Sequence, residues 1–240
     1  MAKLVFLSWL WAQPNGRTTY TSEHVNLWAA MLRRHLTLDH EIAIVTDMPE
    51  GIDPSIRIIT PPGDFEDVRI PTWGPKFPQC LRRLAMFRPD AADIFGERFV
   101  SMDLDAVIGA NIDSLFDHDD DFRMYRGTSA RRPYNGSMIQ MTAGCRSRVF
   151  TEFHPQRAAE AGRHFVGSDQ AWISYALGWV EKTWGPEHGV VWHGSRLNPP
   201  SEDWRIMFFP GNPKPWEVAG ETSAARWIAE HYRREMLEAA

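Results

Sequence analysis

The sequence predicts an α/β domain, a central sheet with helices on its faces, and three observations carry that prediction. Apolar runs of strand length alternate with segments of helical periodicity through the first half of the chain. A length of 240 residues with 43% hydrophobic content is enough to bury a substantial core in one large domain. A mid-chain apolar run ends in two acids one residue apart, Asp103 and Asp105, and the carboxyl ends of strands are where open α/β sheets place their ligand sites.

The elements follow in order. Leu4 to Leu10 is uninterrupted and apolar enough for a first strand. Ser22 can cap a helix in which Val25, Trp28, Ala29, Leu32 and Leu36 share one face. Glu41 to Thr46 and Ile56 to Ile59 read as strands closed by turn residues such as Asp47-Met48-Pro49. A Pro- and Gly-rich loop from Pro61 to Pro78 precedes a helix at Leu81 to Phe87, and Phe99 to Met102 is the strand that delivers the acids. Ser137 to Met141 reads as a strand, Asp169 to Leu177 as a helix and Arg205 to Phe209 as a late strand. Ile228, Tyr232 and Met236 align on a closing amphipathic helix at about residues 223–238. No repeat, low-complexity segment or linker marks a second domain.

Composition narrows the function classes. A net charge of −5 without a long basic run lacks the electrostatic signature of non-specific nucleic-acid binding. Cys80 and Cys145 are the only cysteines and lie far apart, which argues against a disulfide framework and for a reducing, cytoplasmic setting. The apolar segment Leu4 to Trp11 runs into Gln-Pro-Asn-Gly with no small-residue cleavage site, and no segment reaches the length of a membrane span. Eleven tryptophans are many for this length; most fill core, while planar rings at loop ends also stack on nucleobases and sugars.

Asp103 and Asp105 are separated by one residue, so in extended backbone they point the same way while Met102 and Leu104 turn into the core. Two hard carboxylates suit Mg²⁺ or Mn²⁺ with positions left for pyrophosphate oxygens. Two solvated acids at a strand end are the alternative reading of the same residues.

Longer motifs decide between these. Phe99 to Asp117, containing Met-Asp-Leu-Asp-Ala-Val-Ile-Gly-Ala-Asn-Ile-Asp-Ser-Leu-Phe-Asp, resembles the segment around the Asp-x-Asp motif of GT-A-fold glycosyltransferases, in particular the glycogenin and bacterial lipopolysaccharide galactosyltransferase family. Tyr134-Asn135-Gly136-Ser137-Met138 is similar to that family's Asn-x-Gly/Ser strand, Ser168-Asp169-Gln170 to its Asp-Gln pair, and Gly211-Asn212-Pro213-Lys214-Pro215-Trp216 to its Gly-x-x-Lys-Pro-Trp. The pieces occur in the family's order and cover Leu4 to Trp216, most weakly before Pro71.

The resemblance implies a single GT-A, Rossmann-like domain with a mixed, mainly parallel sheet. It also implies a metal-dependent transfer of a sugar from a nucleoside diphosphate sugar, UDP-linked, with retention. Asp103 and Asp105 would hold Mn²⁺ or Mg²⁺ on the diphosphate, with Asp103 also near the ribose. Lys214 would meet the leaving phosphates as a compact cation, with Gly211 allowing close backbone approach. Asn135, Asp169 and Gln170 would line the sugar pocket, although Asp169 can also simply cap its helix. Ser8, Trp9 and Trp11 fall where the first strand meets the nucleobase, and Lys76 can add charge near the diphosphate.

One departure stands out. The family's C-terminal motif carries a metal-binding His three residues before its Gly, where this chain has Phe208. Two carboxylates with waters and phosphates would then suffice for the ion, or His193 would replace the missing ligand. The acceptor class stays open between glycan, lipid, protein, small molecule and modified nucleic acid. Asp103-Leu104-Asp105-Ala106-Val107 also fits the opening motif of haloacid-dehalogenase-like phosphatases, though that motif belongs near an N-terminus. An inactive nucleotide-sugar-binding protein is the non-enzymatic alternative that Phe208 suggests.

Overall fold

The computed structural model describes residues 3–12, 19–74, 79–193, 203–219 and 226–232. Among these, a seven-stranded sheet runs in the order β3-β2-β1-β4-β7-β6-β8. Its strands are β1 (Leu4–Leu10), β2 (His40–Thr46), β3 (Arg57–Ile59), β4 (Arg98–Met102), β6 (Phe122–Ser129), β7 (Arg132–Thr142) and β8 (Thr183–Trp184). The pairs β3-β2, β2-β1, β1-β4 and β6-β8 are parallel, whereas β7 is antiparallel to both β4 and β6. A second sheet of three strands sets β10 (Ile206–Phe208) between β5 (Ala106–Ile108) and β9 (Val190–Trp192). The mixed, mainly parallel sheet expected from the sequence is therefore present.

All seven residues of β1 are buried because both of its faces are covered. Leu4, Phe6 and Leu10 point into one core with α1 (Ser22–His35), the small sheet and α7 (Arg226–Tyr232). Val5, Leu7 and Trp9 alternate into the other, beneath the segment Leu81–Phe87 and the helices α2 (Ala91–Phe95), α3 (Arg148–Thr151), α4 (Pro155–His164) and α5 (Asp169–Leu177).

Local chemistry explains where elements depart from expectation. Helix α1 is capped by Thr21 rather than Ser22: Thr21 is extended (φ −133°, ψ 172°) and its N–H donates to His24 Nδ1 at 3.0 Å. Leu81–Phe87 is a 3-10 helix, not an α-helix. Its three-residue repeat stacks Leu81, Leu84 and Phe87 in one line against the second core. Strand β7 extends five residues upstream of the expected Ser137, and it carries a bulge there. Met124 of β6 faces Ile139 while the next residue, Tyr125, faces Asn135, so Gly136 to Met138 have no partner on β6. The closing helix is seen as Arg226–Tyr232, and the rest of its expected range lies outside the described residues.

Candidate active site

The two acids sit where the chain leaves one sheet for the other. Asp103 follows β4, and its N–H still donates to the carbonyl of Ser137 in β7 at 2.9 Å. Asp105 precedes β5, and its carbonyl accepts from the Phe209 N–H at the end of β10 at 3.1 Å. Met102 and Leu104 are buried at 1% and 3% exposure; Leu104 and Asp105 lie in a turn rather than the extended backbone expected, so Leu104 lines the same cavity of about 280 Å³ that both carboxylates face. Asn135, Gly136 and Ser137 reach it because the β7 bulge turns them out of the ladder. Asp169 and Gln170 reach it as the first two residues of α5. Gly211 and Lys214 arrive from the segment joining β10 to α6 (Pro215–Val218), where Gly211 adopts φ 91°.

Each acid is held by a buried cation. Arg83 of the 3-10 helix donates to Asp103 Oδ1 at 2.5 Å, to Asp169 Oδ2 at 2.9 and 2.6 Å, and to the Gly136 carbonyl at 3.1 Å. Burial alone would ease the proton off this guanidinium, but Asp169 and Asp103 hold its pKa well above the usual value. Lys214 Nζ donates to Asp105 Oδ2 and to the Phe209 carbonyl, and Tyr20 adds its hydroxyl to the same oxygen at 2.9 Å. Burial pushes the Asp105 carboxyl above the usual carboxylate range against the pull of Lys214. It also pushes the Tyr20 phenol strongly up, with the Asp105 and Asp103 charges adding, so Tyr20 acts as a proton-bearing donor. The Cys80 thiol at the wall is likewise kept protonated, pushed up to about 12 by burial and by Asp169.

The remaining supports are short range. Asn135 Oδ1 accepts from the Ser137 N–H at 2.9 Å, which fixes its amide across the bulge. Gln170 Oε1 accepts from the Gly136 N–H at 3.3 Å while its amide donates to the Val166 carbonyl at 2.9 Å. Asp169 does not cap its helix, whose N-cap is Ser168; its carboxylate pairs with Arg83 instead.

Several expected residues stand differently. Trp9 touches the cavity, but its ring is 8% exposed, packs on Phe95 and donates its N–H to Ser101 Oγ at 3.3 Å. Trp11 beside it is more open and carries the Arg82 guanidinium over one face at 4.9 Å. His193 does not line the cavity; its ring stacks on Phe209 at 4.5 Å, and burial lowers its pKa. Phe208 is fully buried against Tyr125. Lys76 lies outside the described residues. Arg83 and Tyr20 were not anticipated, although an Arg in the apolar run Leu81 to Phe87 is itself a signal, because a buried guanidinium requires carboxylate partners.

Whether these residues fit a divalent ion can be tested on the donor set. Among the described residues no three His, Cys, Asp or Glu side chains gather into a metal site. Asp103 and Asp105 nevertheless share the cavity, and Asp103 keeps 30% of its side chain exposed. A two-carboxylate set fits Mg²⁺ or Mn²⁺ that takes its other ligands from phosphate and water.

The α/β fold, a mostly parallel seven-stranded sheet flanked by helices, is of the GT-A class seen in solved glycosyltransferases. Solved structures agree. An active-site variant of LgtC superposes with a TM-score of 0.61 at 10% identity, covering 96% of this chain and 95% of that one. The galactosyltransferase LgtC in complex with donor and acceptor sugar analogues gives 0.59 at 11% over the same shares. The glycosyltransferase GlyE of Streptococcus pneumoniae gives 0.59 at 12%, over 99% of this chain and 63% of that one. No protein-family model and no curated protein matches the chain.

Proposed function

We propose that this chain is a glycosyltransferase that moves a sugar from a nucleoside diphosphate sugar, UDP-linked, to an acceptor, with retention and with Mn²⁺ or Mg²⁺ as cofactor. The observation that supports it most is convergence. Asp103, Asp105, Asn135, Asp169, Gln170, Gly211 and Lys214, the motif residues of four separate segments, all line one cavity in a fold shared with glycosyltransferases.

The chemistry follows from the residues. Asp103 and Asp105 would hold the ion, which neutralises charge on the departing diphosphate when bound. Lys214 is poised beside the same carboxylate as a cation for the leaving phosphates. Asp169 and Gln170 are held by Arg83, the Val166 carbonyl and the Gly136 N–H, and so present fixed polar atoms to the sugar. Phe208 favours a second reading, a sugar-nucleotide-binding protein without turnover.

Thermal-shift measurements against UDP, GDP, CMP and ADP, each with and without Mn²⁺, test the proposal. Stabilisation by UDP that grows with Mn²⁺ and is lost in Asp105→Asn is expected. No stabilisation by any of these nucleotides would overturn it, and hydrolysis or transfer of a UDP-sugar separates an enzyme from a binding protein.

A further inference from the structure

We propose that Arg132 forms a subsite for a carboxylate-bearing sugar, on the Gln170 side of the cavity. The inference rests on the glycosyltransferase reading and narrows its substrate class.

Among the described residues three cations line the cavity: Arg83, Arg132 and Lys214. Arg83 is shared by Asp103 and Asp169, and Lys214 is paired with Asp105. Arg132 has neither an ion pair nor a hydrogen bond from its guanidinium to any described residue, and its Nε is buried without a partner. Burial is the cause that lowers its pKa, with no carboxylate acting against it. A half-buried charge without a counter-ion costs stability, and a ligand anion removes that cost.

The hairpin backbone that carries Arg132 is fixed. Arg132 opens β7 opposite Ser129. A side chain at Gly127 would put its Cβ 1.7 Å from the Arg132 carbonyl oxygen, so the glycine lets the two strands close here. The Val166 N–H donates to the Arg131 carbonyl at 2.8 Å, which ties the hairpin to the turn carrying Gly167 and Ser168. Gln170 bonds to that same turn and to Gly136. Lys214, in contrast, is bound beside Asp105, where the diphosphate is expected. Arg132 thus belongs to the sugar end of the cavity.

A guanidinium presents paired N–H groups whose geometry matches the two oxygens of a carboxylate. A neutral hexose would leave the charge unpaired, whereas one uronate matches it. The carboxylate has two possible sources, the transferred sugar or an acidic sugar of the acceptor.

Calorimetric titration distinguishes them. Wild type, Arg132→Gln and Arg132→Lys are titrated with UDP, with UDP-glucose and with UDP-glucuronate. In a second arm the UDP-saturated proteins are titrated with glucose and with sodium glucuronate. In wild type the acid is expected to bind about tenfold or more tightly than its neutral counterpart in one arm, which names the source. Arg132→Gln should abolish that preference, Arg132→Lys should keep part of it, and UDP affinity should stay within about twofold throughout. Wild type that binds UDP but shows no preference for the acid in either arm overturns the subsite and leaves the transferase reading intact. Loss of UDP affinity in Arg132→Gln moves Arg132 to the diphosphate and also overturns it. Failure of UDP, GDP, CMP and ADP to bind would remove the underlying reading and the subsite with it.

Discussion

Asp105 and Lys214 are 5% and 4% exposed, so each is the other's counter-charge in a medium that solvates neither. Removing one partner of such a pair strands the other. Lys214→Met is therefore expected to lower unfolding free energy by about 3–5 kcal/mol, read from urea denaturation, and to lower affinity for UDP as well. Unchanged stability would mean that Tyr20 alone suffices to hold Asp105. At this scale, much of the site was legible. Asp103, Asp105, Asp169, Gln170 and Lys214 occur in short motifs whose spacing survives folding. Arg83 was not legible, because its partners lie 20 and 86 positions away and only the fold brings them together. His193 misled for the converse reason: near the late strand in sequence, it packs on Phe209 outside the cavity.

Elements repeat the lesson. The bounds of α5 are legible in the sequence, since Ser168 starts the helix and Gly178, at φ 73°, stops it. The start of β7 is hidden in the sequence because Gly136 and its bulge break the alternation that identifies a strand. Strand β10 was legible as a strand but not as the middle of a separate sheet, since its partners β5 and β9 come from both ends of a long stretch of chain. Its placement decides what can be done at Phe208. The ring is fully buried against Tyr125, so Phe208→His would bury an imidazole without a partner. We expect a loss of about 2–4 kcal/mol in stability and no gain in Mn²⁺ affinity. Tighter Mn²⁺ binding by a stable Phe208→His protein would show that this position can turn toward the acids.

Across the molecule, burial governs the response to pH. His24, His35, His118, His188 and His193 all have lowered pKa values, with burial the largest cause in each. A folded state that resists protonation keeps this stability above the unfolded value near 6.5 and loses it as pH falls toward the folded value, about 4 for His35. Asp53 and Asp121, held low by hydrogen bonds from Ser55 and Arg146, add a second decline as pH falls below the usual carboxylate range. Urea midpoints are accordingly expected to be highest above pH 6.5 and to fall steadily toward 4, with a shallower slope in His35→Gln. Midpoints that stay level across that window would show that these imidazoles ionise freely in the folded protein.

The position of β10 between β5 and β9 also has a consequence for biosynthesis. Lys214 emerges from the ribosome 109 residues after Asp105, a delay on the order of ten seconds at typical elongation rates. Strand β9 follows only at residues 190–192 and the joining strand β10 at 206–208, so β5 waits for most of that interval with no partner in the small sheet, and Asp105 waits for Lys214. A chain arrested between Trp192 and Ile206 would thus display two open edges and an unneutralised acid, features by which a chaperone or protease could tell an unfinished copy from a completed one.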